Sequence, residues 1–150
     1  MRALRLLIII FICFIHSGCG KFDDWFGAGS NVHSEDYTIK ASEEKVLAAV
    51  DTFKTEHPEY CPPIESDAKD YYSDPFHEIC FYYTDKRTIV ATYIRGDKYS
   101  TTFGLQAIRK EGEENARLVN KDITGSENES VKLDFVTRIL NPIKEIIGRK

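Results

Sequence analysis

Reactive and metal-seeking side chains are scarce in this sequence. Its four cysteines and four histidines include no Cys-x-x-Cys pair and no zinc-protease helix, and its acids form no calcium-loop pattern. Nine glycines supply neither a phosphate-binding loop nor a Gly-x-Ser-x-Gly nucleophile elbow. Clustered Lys and Arg, which phosphate neutralisation needs, are also missing, and that excludes nucleic acid as an expected partner. No apolar run approaches the ~20 residues of a membrane-spanning helix. The sequence therefore identifies no catalytic residue, no metal ligand and no cofactor-binding residue, and no cofactor is expected.

What is present begins with a segment built for export. Arg2 and Arg5 form a positive start, and Leu6 to Ile15 is an unbroken apolar run. As a helix that run would rise about 15 Å, half the hydrocarbon thickness of a bilayer. It therefore reads as a signal core and not as a span. His16-Ser17-Gly18-Cys19 follows, with small residues directly before a cysteine.

This segment resembles the lipobox of bacterial lipoproteins. The resemblance covers only the first twenty residues of the chain. It implies removal of residues 1–18 as a signal peptide, lipid attachment at Cys19, and a protein anchored to its membrane by two or three acyl chains, enough for durable binding. Gly20 after the cysteine implies sorting to the outer membrane, facing the periplasm, as in enterobacterial lipoproteins. His16 departs from the pattern, which places Leu or a similar aliphatic residue three positions before the cysteine; Ile15 stands one place too early. Cleavage by the general signal peptidase, or an uncleaved anchor, stays open beside lipidation.

Residues 19–36 mix Gly27, Gly29, Ser30, Asn31 and Ser34 with Trp25 and Phe26 without a sustained period, and read as a tether. Residues 37–150 are enough for one domain with its own core. Without residues 1–18, which hold Arg2 and Arg5 and no acid, the formal charge moves from −4 to −6. Within the domain the cysteines are Cys61 and Cys80, and an even pair in an exported domain reads as a disulfide. Its loop, rich in Pro62, Pro63, Pro75 and acids, could not pack as an element alone. A bridge closing it would stabilise by about 3 kcal/mol on a loop-entropy estimate. Two free thiols or a metal pair are the other readings.

The fold expected is α+β. Tyr37, Ile39 and Ala41 alternate as a strand. Ser42 is an N-cap, Glu43 and Glu44 fill the first helical turn, and Val46, Leu47, Val50 and Phe53 follow at helical spacing up to Pro58. Period-two runs then predict a meander: Ile79 to Tyr83, Thr88 to Arg95, Thr101 to Arg109 with Phe103, Leu105 and Ala107 on one face, and a weaker Ala116 to Ile123. After a polar connection, Thr124 to Ser130, the residues Val131, Phe135, Ile139, Ile143 and Ile146 mark a long helix, with a kink or restart at Asn141-Pro142 and Asn141 as cap. The order is β-α-β-β-β-β-α: an antiparallel sheet of four to five strands with both helices on one face and the other face partly wet. That order resembles the helix-grip arrangement, a likeness of elements that carries no function.

Two groups of residues invite a functional reading. His77 stands with Asp74 and Glu78 near Glu65, Asp67 and Asp70, the makings of an acid-base or metal site, although the spacing matches no ligand set and solvated acids on a surface loop beside one exposed histidine explain them better. His57 suits the C-terminal end of the first helix, and His33 lies in the tether. The second group is Tyr60, Tyr71, Tyr72, Tyr82, Tyr83, Tyr93 and Tyr99, which supply contact area with a polar tip at low entropy cost. The expected function is a tethered binding module with an envelope protein as partner. A small-ligand carrier and an envelope hydrolase centred on His77 are the alternatives.

Overall fold

The computed structural model describes residues 30–73 and 75–149. The expected signal, Cys19, most of the tether, and Asp74 lie outside the described residues. After a 3-10 turn at Ser30–His33, the elements are β1 (Glu35–Ile39), α1 (Glu43–Glu56), β2 (Tyr71–Tyr72), β3 (His77–Tyr83), β4 (Thr88–Gly96), β5 (Thr101–Lys110), β6 (Arg117–Leu118), α2 (Gly125–Phe135), a π-helical turn (Val136–Leu140) and α3 (Asn141–Gly148). The strands form one antiparallel sheet in the order β1-β5-β4-β3-β2, with β6 also on β5. The expected α+β class and the helices at either end of a meander are thus found, with β2 as an additional strand. The first strand begins at Glu35, so the tether is two residues shorter than expected.

Ser42 caps α1 by accepting from the Lys45 N–H, and Val46, Val50 and Phe53 are buried under it. They meet the odd-numbered residues of β3, Ile79, Phe81 and Tyr83, in a core completed by Val90, Ile94, Phe103, Leu105, Phe135, Ile139 and Ile143. Burial of each such side chain contributes about 1.5–3 kcal/mol.

The alternation along β5 breaks at one point. The register shifts between Ala91 and Thr92, whose partners are Ala107 and Leu105, so Gln106 is an extra residue. Its carbonyl accepts from the Val119 N–H. This bulge sends Ile108 to the helix-covered face and Ala107 to the opposite one, correcting the expectation that Ala107 shares a face with Phe103 and Leu105. The weaker fourth run also contracts: only Arg117–Leu118 is strand, because Val119 and Ile123 turn inward as buried anchors of a turn.

The C-terminal helix starts at Gly125, earlier than expected, because Asn128 docks its amide on Asn120 (2.8 Å) and is buried while its neighbours face solvent. Asn141 is no cap. It is helical, and its N–H reaches back to Val136 O, a five-residue step. The wider turn takes up the place where Pro142 offers no N–H, so the helix continues.

The face away from the helices is covered. The loop from Cys61 to Phe76 crosses it, burying Ala68 with Cys80, Tyr82 and Ile89 in a second small cluster. Asp67 binds Arg109 of β5 through both carboxylate oxygens. Asp70 accepts from the Cys80 N–H (2.9 Å) and pairs with Lys54 of α1. Tyr93 lies over Gly104, its cross-strand partner, and donates to Asp36 (2.8 Å). The partly wet face of the sequence reading is therefore corrected: a loop without its own hydrophobic period, fixed by carboxylates, closes it.

Candidate functional site at the tyrosine-bearing edge

Strand β2 is the outer edge of the sheet, with Tyr71 opposite Glu78 and Tyr72 opposite His77. Both tyrosines are exposed, at 61% and 51%. The loop before them is held by Asp67 and Asp70 and the segment after them by Ser73, whose hydroxyl donates to Phe76 O (2.9 Å). The tyrosines are thus presented on a short, fixed strand. Tyr72 reaches Asp51 of α1 with its hydroxyl (3.3 Å), and partial desolvation of that hydroxyl, with the Asp70 and Asp51 carboxylates nearby, pushes the phenol up to about 12. Tyr99, also exposed, tops the β4–β5 turn, where Asp97 accepts from the Tyr99 and Ser100 N–H groups. In the antiparallel register this turn is at the same end of the sheet as the start of β3.

His77 sits directly behind the edge. Its Nε2 lies 3.1 Å from Glu43 Oε1, and the other oxygen of Glu43 accepts from the Gly96 N–H. Nδ1 is buried with no hydrogen-bond partner among the described residues. One ring nitrogen is therefore committed to a carboxylate and the other is shut away from solvent. The ring ties β3, α1 and the end of β4 together and presents no free nitrogen to a substrate. Glu78 is half-buried on the opposite face of β3, so the strand alternation separates it from His77.

The remaining tyrosines divide by burial. Tyr82, Tyr83 and Tyr93 are buried, while Tyr60 packs at right angles to Tyr83. His57, half-buried, follows α1 as its C-cap and stacks 5.0 Å from Phe53. Among the described residues no group of three or more His, Cys, Asp or Glu side chains could hold a metal ion.

No family model, no curated protein and no solved structure matches the chain. The site is accordingly read from its own geometry. Among the described residues no helix is long and apolar enough to cross a membrane.

Cys61 and Cys80 are free thiols in this structure. Cys61, half-buried, points its Sγ at Lys54 O (3.9 Å). Cys80 is wholly buried in β3, and that burial pushes its thiol up to about 12. Further polar contacts of the domain lie at residues not read as site candidates from the sequence. Arg138 pairs with Asp85 through both carboxylate oxygens and lies 4.1 Å from the centre of the Tyr83 ring.

Proposed function

We propose that the chain is a membrane-tethered lipoprotein of a bacterial cell envelope, anchored through Cys19 and acting as an interaction module whose sheet edge binds a protein partner. The observation that carries this reading is the pair of exposed tyrosines on the outermost strand, backed by a fixed loop. Tyrosine is the side chain that gives contact area at least entropy cost, and a rigid mount keeps that cost low on binding. The strand order adds a geometric argument. The chain enters the domain at β1, where Asn120 holds His33 O and Glu35, and β2 lies four strand spacings away, about 19 Å. A domain tethered by one edge leaves the other free for a partner.

The outer membrane, facing the periplasm, is the compartment that fits the Cys19-Gly20 sequence. In that oxidising setting Cys61 and Cys80 would pair. The hydrolase reading is weakened by the committed and enclosed nitrogens of His77.

The test is crosslinking in native membranes followed by capture, comparing wild type, Cys19→Ser, and the double variant Tyr71→Ser/Tyr72→Ser. The expected result is a stoichiometric protein partner with wild type, lost in the tyrosine variant at an unchanged melting temperature and reduced without the lipid. Recovery of the same partner with the tyrosine variant would overturn the edge as the binding surface. An intact mass that starts anywhere but at an acylated Cys19 would overturn the anchor.

A further inference from the structure

The backbone gives the tyrosine edge a direction. In an antiparallel ladder the N–H and C=O of one residue point to the same side of the strand, and the sides alternate from residue to residue. The Cys80 N–H points out of β3 toward the covering loop, where Asp70 accepts it. The Ile79 C=O points the other way, to the Thr92 hydroxyl of β4. Glu78 therefore points outward like Cys80 and exchanges its backbone bonds with Tyr71, its partner in β2. That leaves the N–H and C=O of Tyr72 aimed away from the sheet, and no turn or loop of the described residues takes either.

The side chains beside that residue are acidic and partly unmet. Tyr72 and His77 form a cross-strand pair on the helix-covered face, with 5.9 Å between ring centroids. Next to them, α1 uses Glu43 to hold His77 and Lys54 to hold Asp70. Asp51 is exposed, and its carboxylate has no partner among the described residues besides the Tyr72 hydroxyl, a neutral donor. Seven residues earlier, on the same face of the helix, Glu44 is exposed and has no ion pair among the described residues. Leu47, half-buried against the core, lies between the two acids.

Resting on the reading of this edge as the partner-binding surface, we propose that the partner supplies an extended segment that joins the sheet antiparallel to β2, exchanging two backbone hydrogen bonds with Tyr72 and placing a lysine or arginine opposite it. Every pair already in the sheet is antiparallel. A residue opposite Tyr72 in such a pair stands about 5.5 Å away with its side chain on the same face. A basic one therefore lies over the Tyr72 ring and reaches Asp51. An acidic one would meet Asp51 and Glu44, while Lys54, the cation on that side of the helix, is already taken. Two backbone bonds are few, so the side chains decide which strands bind.

The test titrates the full chain in nanodiscs with the peptide acetyl-Thr-Val-Arg-Val-Thr-amide, reading the amide resonances of Tyr71 and Tyr72 by NMR. The Tyr72 amide proton should move downfield and saturate as it gains a hydrogen bond, and that of Tyr71, already bonded to Glu78, should move less. The same peptide with Glu in place of Arg should bind about tenfold more weakly or not at all. Asp51→Asn, which keeps an acceptor for the Tyr72 hydroxyl, should weaken the Arg peptide about two- to fivefold. Methylating the backbone nitrogen of the arginine should abolish binding, whereas methylating that of the following valine, which points away from the edge, should be tolerated. Equal binding of the Arg and Glu peptides, loss on methylation of the valine in place of the arginine, shifts confined to the tyrosine rings, or no binding at millimolar peptide would each overturn strand addition. If one of these occurs while Tyr71→Ser/Tyr72→Ser still loses the membrane partner, the edge stands as the binding surface and only the added strand falls. If that variant keeps its partner, both fall.

Discussion

The two faces of the sheet are held by different physics. Under the helices, a single apolar cluster from Ile39 to Ile143 is packed by rings such as Phe103 against Phe135, 5.4 Å between centroids, and Phe53 against Phe81. On the other face the apolar cluster has only four residues, Ala68, Cys80, Tyr82 and Ile89, and the covering loop is pinned by carboxylates: Asp67 on Arg109, and Asp70 on Lys54 and the Cys80 N–H. The first face draws its stability from area removed from water. The second draws it from charge-assisted contacts, of which the Asp67 pair, with that side chain about half exposed at 49%, is screened by solvent. An element without hydrophobic periodicity can close a sheet when its acids reach the right donors.

The contrast can be broken most forcefully from the helix side. Phe103→Ala removes a fully buried ring from the middle of the core and should cost about 3–5 kcal/mol, read as a large fall in melting temperature or failure to fold. If the loss were under 1 kcal/mol, the helix face would not be the main source of stability.

On the loop face the largest effect should come from Gly104→Ala. A Cβ there would meet the Tyr93 ring at 2.0–2.6 Å, so the ring must leave its place over the strand and its bond to Asp36. A cost of about 1–3 kcal/mol is expected, with NMR shifts centred on Tyr93 and Asp36. A second substitution, Tyr93→Leu, should recover part of it by freeing the space.

Acid should then separate the faces. The Arg109 guanidinium beside Asp67 holds that carboxyl below the usual range. A depressed folded-state value means that this contribution is present above the ordinary carboxylate pKa, near 4, and fades as pH falls through the lower folded value. Limited proteolysis should therefore cut the loop between Cys61 and Phe76 faster as pH drops from about 5 to 3, while the helix-face core stays intact. In Asp67→Asn cleavage should already be fast at pH 5 and should lose that rise. A loop equally resistant at both values would remove the charge-held half of the comparison.

The smallest effect concerns reactivity and leaves stability untouched. With the reduced protein, Cys61 should alkylate with iodoacetamide well before Cys80, whose thiol is buried and raised to about 12. Equal rates measured by mass spectrometry would show that the loop opens freely over Cys80.

Most of the helix-covered face was legible in advance. The Ser42 cap with Glu43 and Glu44, the 3.6-residue spacing from Val46 to Phe53, and the period-two runs of β3 to β5 each report a local rule that the fold obeys. The misreadings fall where tertiary contacts override local pattern. Nothing along β5 signals the bulge at Gln106, because its carbonyl is claimed by Val119 from beyond the next turn. Asn141-Pro142 carries a break signal that the preceding π turn absorbs. The helix start at Gly125 depends on Asn128 finding Asn120.

The candidate sites divide in the same way. The tyrosines were visible as a composition bias, but only the strand order puts Tyr71 and Tyr72 on an outer edge and buries Tyr83 and Tyr93. His77, Asp74 and Glu78 were visible as neighbours in sequence; the pleat turns Glu78 to the face opposite His77, and a helix remote in sequence supplies Glu43. The outward backbone of Tyr72 was not visible at all, since its direction follows from the Cys80 N–H meeting Asp70 across the edge. Sequence alone determined the α+β class and the core-facing stripes, because each is written in composition or in a short period. Tertiary structure alone decided which face the loop closes and which tyrosines stay in water, because those outcomes depend on partners far apart along the chain.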